Sequence, residues 1–270
     1  MRMSDIDLID QYTAHQHVRG FSRRTTDRRA WSLGLWLDFL TIHDAQLATA
    51  TVEQLETFLA RWPSPQSRYS VRSDIHMLCF FAKRRGLLDN DPTELLDAPK
   101  IPRRRSTPVP AADVRRLLSN ATAADRLAVL LAAWAGLRIS EIAAVRGEHV
   151  DLDGRWLTVT GKGGRTDVIP LAAPLAAELA NWPRHGRLLP YRDGPAVGCR
   201  LRTLMRRLGI EARPHDLRHS FANAAMASSH DNVVVVQRLM RHSEIATTMR
   251  YVRPEPVAHQ VVDALYGDAA

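Results

Sequence analysis

The segment RLMRHSEIATTMRYVRP, Arg238 to Pro254, sets Tyr251 nine residues after His242 among four arginines. A free phenol titrates near pH 10, so tyrosine attacks poorly at neutral pH. It needs a base to take its proton, or cations to stabilise the phenolate and the charge growing on its target. Groups of that kind recur in the second half of the chain. In AGLRISEIAAV, Arg138 follows an apolar helix that ends at Gly136. A guanidinium there is costly to bury unless it meets an anion or a carboxylate, and Glu141 is the internal candidate. In HDLRHSF, His215 and Arg218 are spaced i, i+3 and share one helical face. In GKGG, Lys162 occupies the tip of a hairpin. Only three of the 37 basic side chains are lysine, and an ammonium can give up a proton where a guanidinium effectively cannot, so Lys162 hints at a general acid. Two arginines, two histidines and a lysine supply the parts for attack by Tyr251 on a phosphodiester.

Plainer readings stand beside this one: an Arg138–Glu141 salt bridge, surface histidines, and a tyrosine closing a surface helix. No Asp/Glu cluster accompanies the basic groups, which argues against a two-metal nuclease. His215 and His219, at i, i+4, imitate a zinc pair, but the pattern is not HExxH and lacks a third ligand. No metal site is expected.

The elements that must position these residues are mostly helical. In the first hundred residues, Ile6, Ile9 and Tyr12 mark one helix, and Trp31, Leu35 and Phe39 mark a second from about Thr25. Thr51 and Gln54 form a capping box ahead of a third, with Leu55, Phe58, Leu59 and Trp62. A fourth runs from about Ser67 to Arg85, buries Val71, Ile75, Leu78 and Phe81, and ends at Gly86. Residues 97–110, DAPKIPRRRSTPVP, hold four prolines and read as an extended linker. Beyond it, helical runs surround a single clear hairpin, RWLTVTGKGGRTDVIPL. The fold class expected is mainly α (α+β): a four-helix bundle over 1–96, the linker 97–110, and a mostly helical domain over 111–270 with a small antiparallel β-sheet.

A net charge of +8 and a pI near 10.1 point to a polyanionic partner. Candidate phosphate contacts are Arg23, Arg24, Arg28, Arg68 and Arg72 on the bundle and Lys100, Arg103, Arg104 and Arg105 in the linker. No apolar run approaches the about 20 residues needed to span a bilayer. The N-terminus lacks a secretory pattern, and two isolated cysteines suit a reducing cytosol.

In this order, GLRISEI, GKGG in a hairpin, HDLRH and RHSEIATTMRY resemble the motifs of the tyrosine recombinase (phage integrase) family, and the likeness extends over nearly the whole chain. It implies that the N-terminal bundle is a core-type DNA-binding domain and that the two domains form a C-shaped clamp on DNA. It implies that Tyr251 attacks the scissile phosphate to give a 3′-phosphotyrosyl link and a 5′-hydroxyl. Arg138 and Arg218 clamp the non-bridging oxygens with help from His242, His215 takes the tyrosine proton, Lys162 protonates the departing oxygen, and Glu141 supports the first arginine. No cofactor is implied, since the phosphotyrosine conserves the bond energy. The partners implied are double-stranded DNA at core sites, three further copies in a tetramer that passes through a Holliday junction, and an accessory factor. A tail helix carrying Val257, Val261, Val262 and Leu265 docks on a neighbouring copy, and the location is cytoplasmic, at the nucleoid. The chain resembles a compact form without an arm-binding domain, that is, the integrase of a phage or mobile element. The alternatives are a Xer-type dimer resolvase and a DNA-binding protein without catalysis. One residue departs from the pattern: Arg241 occupies the usual glycine before the last histidine, where it adds another candidate phosphate contact.

Overall fold

A computed structural model of the protein describes residues 4–101, 107–161, 164–242, 244–249 and 251. The chain divides into two compact units, residues 1–104 and 105–270. The first is built on α1 (Asp5–Val18), α2 (Arg23–Ile42), α3 (Val52–Ala60) and α4 (Pro65–Lys83). Side-chain caps start three of them: Ser4 accepts from the Asp7 N–H, Thr51 and Gln54 cap each other reciprocally, and Ser64 accepts from the Ser67 N–H ahead of α4. Each cap occupies one of the donors a helix start leaves open.

The buried face of α2 differs from its expected stripe. Leu33, Trp36, Phe39 and Leu40 form the core, whereas Trp31 is 58% exposed. Asp74 of α4 explains the rotation. It is buried, takes two hydrogen bonds from Arg28 at 2.6 and 2.7 Å, and a third from Ser32 Oγ at 2.8 Å. Turning Ser32 inward satisfies this carboxylate and carries Trp31 out, where its ring meets Trp62 edge-on. Ile6 of α1 is likewise exposed, and Leu8 joins Ile9 and Tyr12 inside.

The second unit contains α5 (Ala111–Asn120), α6 (Ala123–Trp134), α7 (Ile139–Ala144), α8 (Ala173–Leu179), α9 (Gly194–Arg207), α10 (Pro214–Ser228), α11 (Val233–Met240) and α12 (Ile245–Met249). Among the described residues its sheet is antiparallel, with β2 (Trp156–Thr160) between β1 (Val150–Asp151) and β3 (Thr166–Pro170). Leu157 pairs with Ile169, and these two face inward with Val159, as period-two alternation requires. The mainly helical class with a small antiparallel sheet is as the sequence predicts. Leu127 to Ala132 of α6 are almost fully buried, which makes α6 the central helix. No helix among the described residues is long and apolar enough to cross a membrane.

Candidate active site

The site starts where α6 stops. Gly136 has φ +62, and a Cβ on it would come to 2.5 Å from the Phe221 ring, so this tight reversal requires glycine. Two residues later Arg138 caps α7. Its backbone N–H and its Nη1 both donate to Glu141, at 2.8 Å each, and the carboxylate is thereby folded back over the start of its own helix. Close approach of α9 holds α7 in place: a Cβ on Gly194 would lie 2.9 Å from the Ser140 backbone. The β2–β3 turn begins beside the same carboxylate, since a Cβ on Gly161 would be 3.8 Å from Glu141 Oε1.

Helix α10 brings the next three groups. Pro214 occupies its first turn, and the Asp216 carboxylate accepts from the Arg213 N–H at 2.8 Å. On the face that follows, His215 is exposed, while Arg218 and His219 are buried. Arg218 donates to the carbonyls of Gly136 and Met240 and lies 3.8 Å from Glu141 Oε2. The His215 and His219 rings meet edge-on at 4.7 Å. His219 Nδ1 is hydrogen-bonded to the Tyr251 hydroxyl. Among the described residues, no group of three or more His, Cys, Asp or Glu could hold a metal ion.

The last groups hang from the end of α11. Arg241 adopts φ +53, and the N–H groups of Arg241 and His242 return to the carbonyls of Arg238 and Gln237. This is a Schellman ending, with an arginine in the left-handed position that glycine usually fills. It turns the Arg241 guanidinium inward onto Glu141, Nη2 to Oε2 at 2.6 Å, with the side chain 4% exposed. His242 Nδ1 pairs with Thr248 Oγ1 at 2.8 Å, and Thr248 is fully buried. The Tyr251 N–H then returns to the Thr248 carbonyl. Its ring joins Ala222, Met226, Val236 and Met240 in a small apolar cluster, nearly parallel to the His242 ring at 6.4 Å.

Three guanidiniums thus surround one buried carboxylate. Burial opposes ionisation of Glu141, but Arg241 and Arg138 outweigh it and hold its pKa below the ordinary carboxylate value. Arg218 is affected in the opposite sense. Burial, then Arg138, then Arg241 push it down to about 9, with Glu141 and Tyr251 opposing. A site with this balance is short of negative charge.

The structure brings Arg138, Glu141, Arg218, His242 and Tyr251 into one region. Lys162 lies outside the described residues, as do Arg103, Arg104, Arg105 and the expected tail helix. Of the expected phosphate contacts, Arg23, Arg24 and Lys100 are exposed. Arg28 is committed to Asp74. Arg68 Nε donates to the Trp62 carbonyl, and Arg72 donates to the carbonyls of Thr93 and Leu96, so both guanidiniums brace their own unit. Arg241 faces inward rather than outward. The sequence reading missed His219 as the partner of Tyr251. Its signal was present, because residues 215, 218, 219 and 222 fall on one helical face, but that spacing alone fits a zinc pair or surface histidines equally.

Fold and site define the class: this is an enzyme that cuts and rejoins DNA strands at specific sites through a tyrosine. Residues 109–256 match the phage integrase family, and the chain belongs to that family of tyrosine recombinases. It is 30% identical to tyrosine recombinase XerC of Xanthomonas campestris pv. campestris, over 91% of this chain and 84% of that one. It is 28% identical to tyrosine recombinase XerA of Pyrococcus furiosus, over 92% and 89%. Its fold is similar to lambda integrase (residues 75–356), a dimer bound to a COC′ core site, with a TM-score of 0.76, 18% identity, and coverage of 91% of this chain and 97% of that one.

Proposed function

We propose that Tyr251 is the nucleophile of this recombinase and that it attacks a DNA phosphodiester held by Arg138 and Arg218. The observation that carries this is the Tyr251 hydroxyl, hydrogen-bonded to buried His219, the residue after Arg218 on α10. The tyrosine oxygen bonds to phosphorus as the bond to the 5′ oxygen breaks, leaving a 3′-phosphotyrosyl link. Lys162 protonates the departing oxygen, as the family pattern implies, and His242 assists the arginines. The tyrosine proton passes to a histidine of α10. Family likeness points to His215, but the hydrogen bond in hand belongs to His219, which favours His219 as acceptor from the resting phenol. Residues 1–96 act as the DNA-binding unit, with double-stranded core sites as the partner and a tetramer as the working assembly.

Two cellular roles follow from this chemistry: integration or excision of a phage or mobile element, and Xer-type resolution of chromosome or plasmid dimers. Similarity to XerC and XerA along about nine-tenths of the chain favours the second.

The test begins with a pool of nicked duplexes carrying a randomised core. DNA that stays with the protein through detergent denaturation identifies the site. On that site Tyr251→Phe is expected to bind DNA like the wild type and to form no adduct. An adduct formed by the variant would assign the nucleophile elsewhere.

A further inference from the structure

Arg241 stands where the family pattern has glycine, and its backbone keeps a glycine conformation, φ +53. Such strain in a side-chain-bearing residue directs attention to what the side chain does. Its Nη2 reaches Glu141 at 2.6 Å. Glu141, however, already accepts two hydrogen bonds from Arg138 and has Arg218 within 3.8 Å. One carboxylate among three guanidiniums leaves two positive charges uncompensated. Nη1 of Arg241 is buried and has no acceptor among the described residues. Buried donors are rarely left this way unless a ligand completes them.

We propose that Arg241 is a third phosphate-binding arginine of this active site, its Nη1 donating to a non-bridging oxygen of the scissile phosphate alongside Arg138 and Arg218. This rests on the reading of Tyr251 as nucleophile. A phosphodiester arrives with one negative charge. Once the tyrosine proton has passed to histidine and the new oxygen–phosphorus bond is forming, the phosphoryl group and its two apical oxygens share two. The two surplus charges of the cluster match that second state better than the first, and a match of this kind lowers the barrier.

The experiment uses the full chain and the selected nicked duplex, made with a normal scissile phosphate or with a methylphosphonate, which lacks one non-bridging oxygen and its charge. R241G restores the residue the backbone prefers, and R241M, which keeps the length of the stem, serves if R241G does not fold. With DNA saturating, the variant is expected to form adduct roughly 100-fold more slowly than wild type on the phosphate, the loss typical of removing one such donor. On the methylphosphonate the two proteins are expected to react at nearly equal rates. Equal rates on the normal phosphate overturn the proposal. An equal defect on both substrates also overturns it, because the arginine then acts only through Glu141 and the fold. If Tyr251→Phe still forms the adduct on the normal phosphate, the Tyr251 reading itself fails, and that result is distinct from the other two.

Discussion

Glu141→Gln isolates what holds the arginine cluster together. The substitution keeps the shape of the side chain and removes its charge. In the native protein the carboxylate serves Arg138 twice at 2.8 Å and Arg241 at 2.6 Å, with Arg218 at 3.8 Å. The three arginines do not suffer equally when it goes. Arg138 is 39% exposed and can turn to water, whereas Arg218 and Arg241 are 2% and 4% exposed and cannot. Loss of an ordinary hydrogen bond would cost about 1 kcal/mol. Two stranded buried charges put the cost at about 3–5 kcal/mol, the range for removing one partner of a buried pair. Urea unfolding of both proteins, compared at equal m-value, reads this directly. Added sulfate should return part of the loss, because an anion that binds only the folded state at a hundred times its Kd stabilises it by about 2.7 kcal/mol. The effect carries a pH signature. The Glu141 pKa is lowered on folding, so its contribution is present above the ordinary value of 4.5 and disappears as pH falls through the folded-state pKa. The stability gap between wild type and E141Q should therefore close in acid. A gap below about 1 kcal/mol at pH 7, or one that is flat down to pH 3, would refute the view that this carboxylate offsets part of the buried arginine charge.

Three further outcomes are expected. H219Q should slow adduct formation more than H215Q and move the acid limb of the pH–rate profile; the reverse order would make His215 the proton acceptor. G136A should lose about 2 kcal/mol or more in urea unfolding, from the left-handed backbone and the Phe221 contact together, and wild-type stability would contradict the tight reversal at this residue. D74A should destabilise the first unit by about 2–3 kcal/mol, towards the low end for buried pairs because Arg28 is half exposed and can return to water; an unchanged melting profile would show that Asp74 does not set the rotation of α2.

The sequence displayed the helical class and the hairpin well, because caps, periodicity and a glycine-rich turn are local signals. Thr51 and Gln54 named their own helix, and Leu157, Val159 and Ile169 alternated as a half-buried hairpin must. Facts that depend on a partner distant in sequence were out of reach. The face of α2 is decided by Asp74, more than forty residues away from Ser32. The direction of Arg241 is decided by Glu141, a hundred residues away. Arginine is especially hard to read in this respect, since the same residue type makes a surface phosphate contact, a brace on backbone carbonyls as at Arg72, or an inward charge. His219 was hidden differently: its position was legible, but its meaning required Tyr251 to come back to α10.

Arg218 ties the end of α6 directly to the end of α11. Its two donors end on Gly136, just past α6, and on Met240, the last residue of α11. The ends of two helices, each presenting the negative pole of its dipole, therefore converge on one planar cation that sits on a third. A lysine offers a single nitrogen on a flexible stem and lacks the rigid fork that sets a separate nitrogen on each carbonyl. Exchange at Arg218 would consequently loosen the joint between three helices. One side chain thus holds the ends of two helices to a third, and that architectural task stands whatever else the guanidinium does.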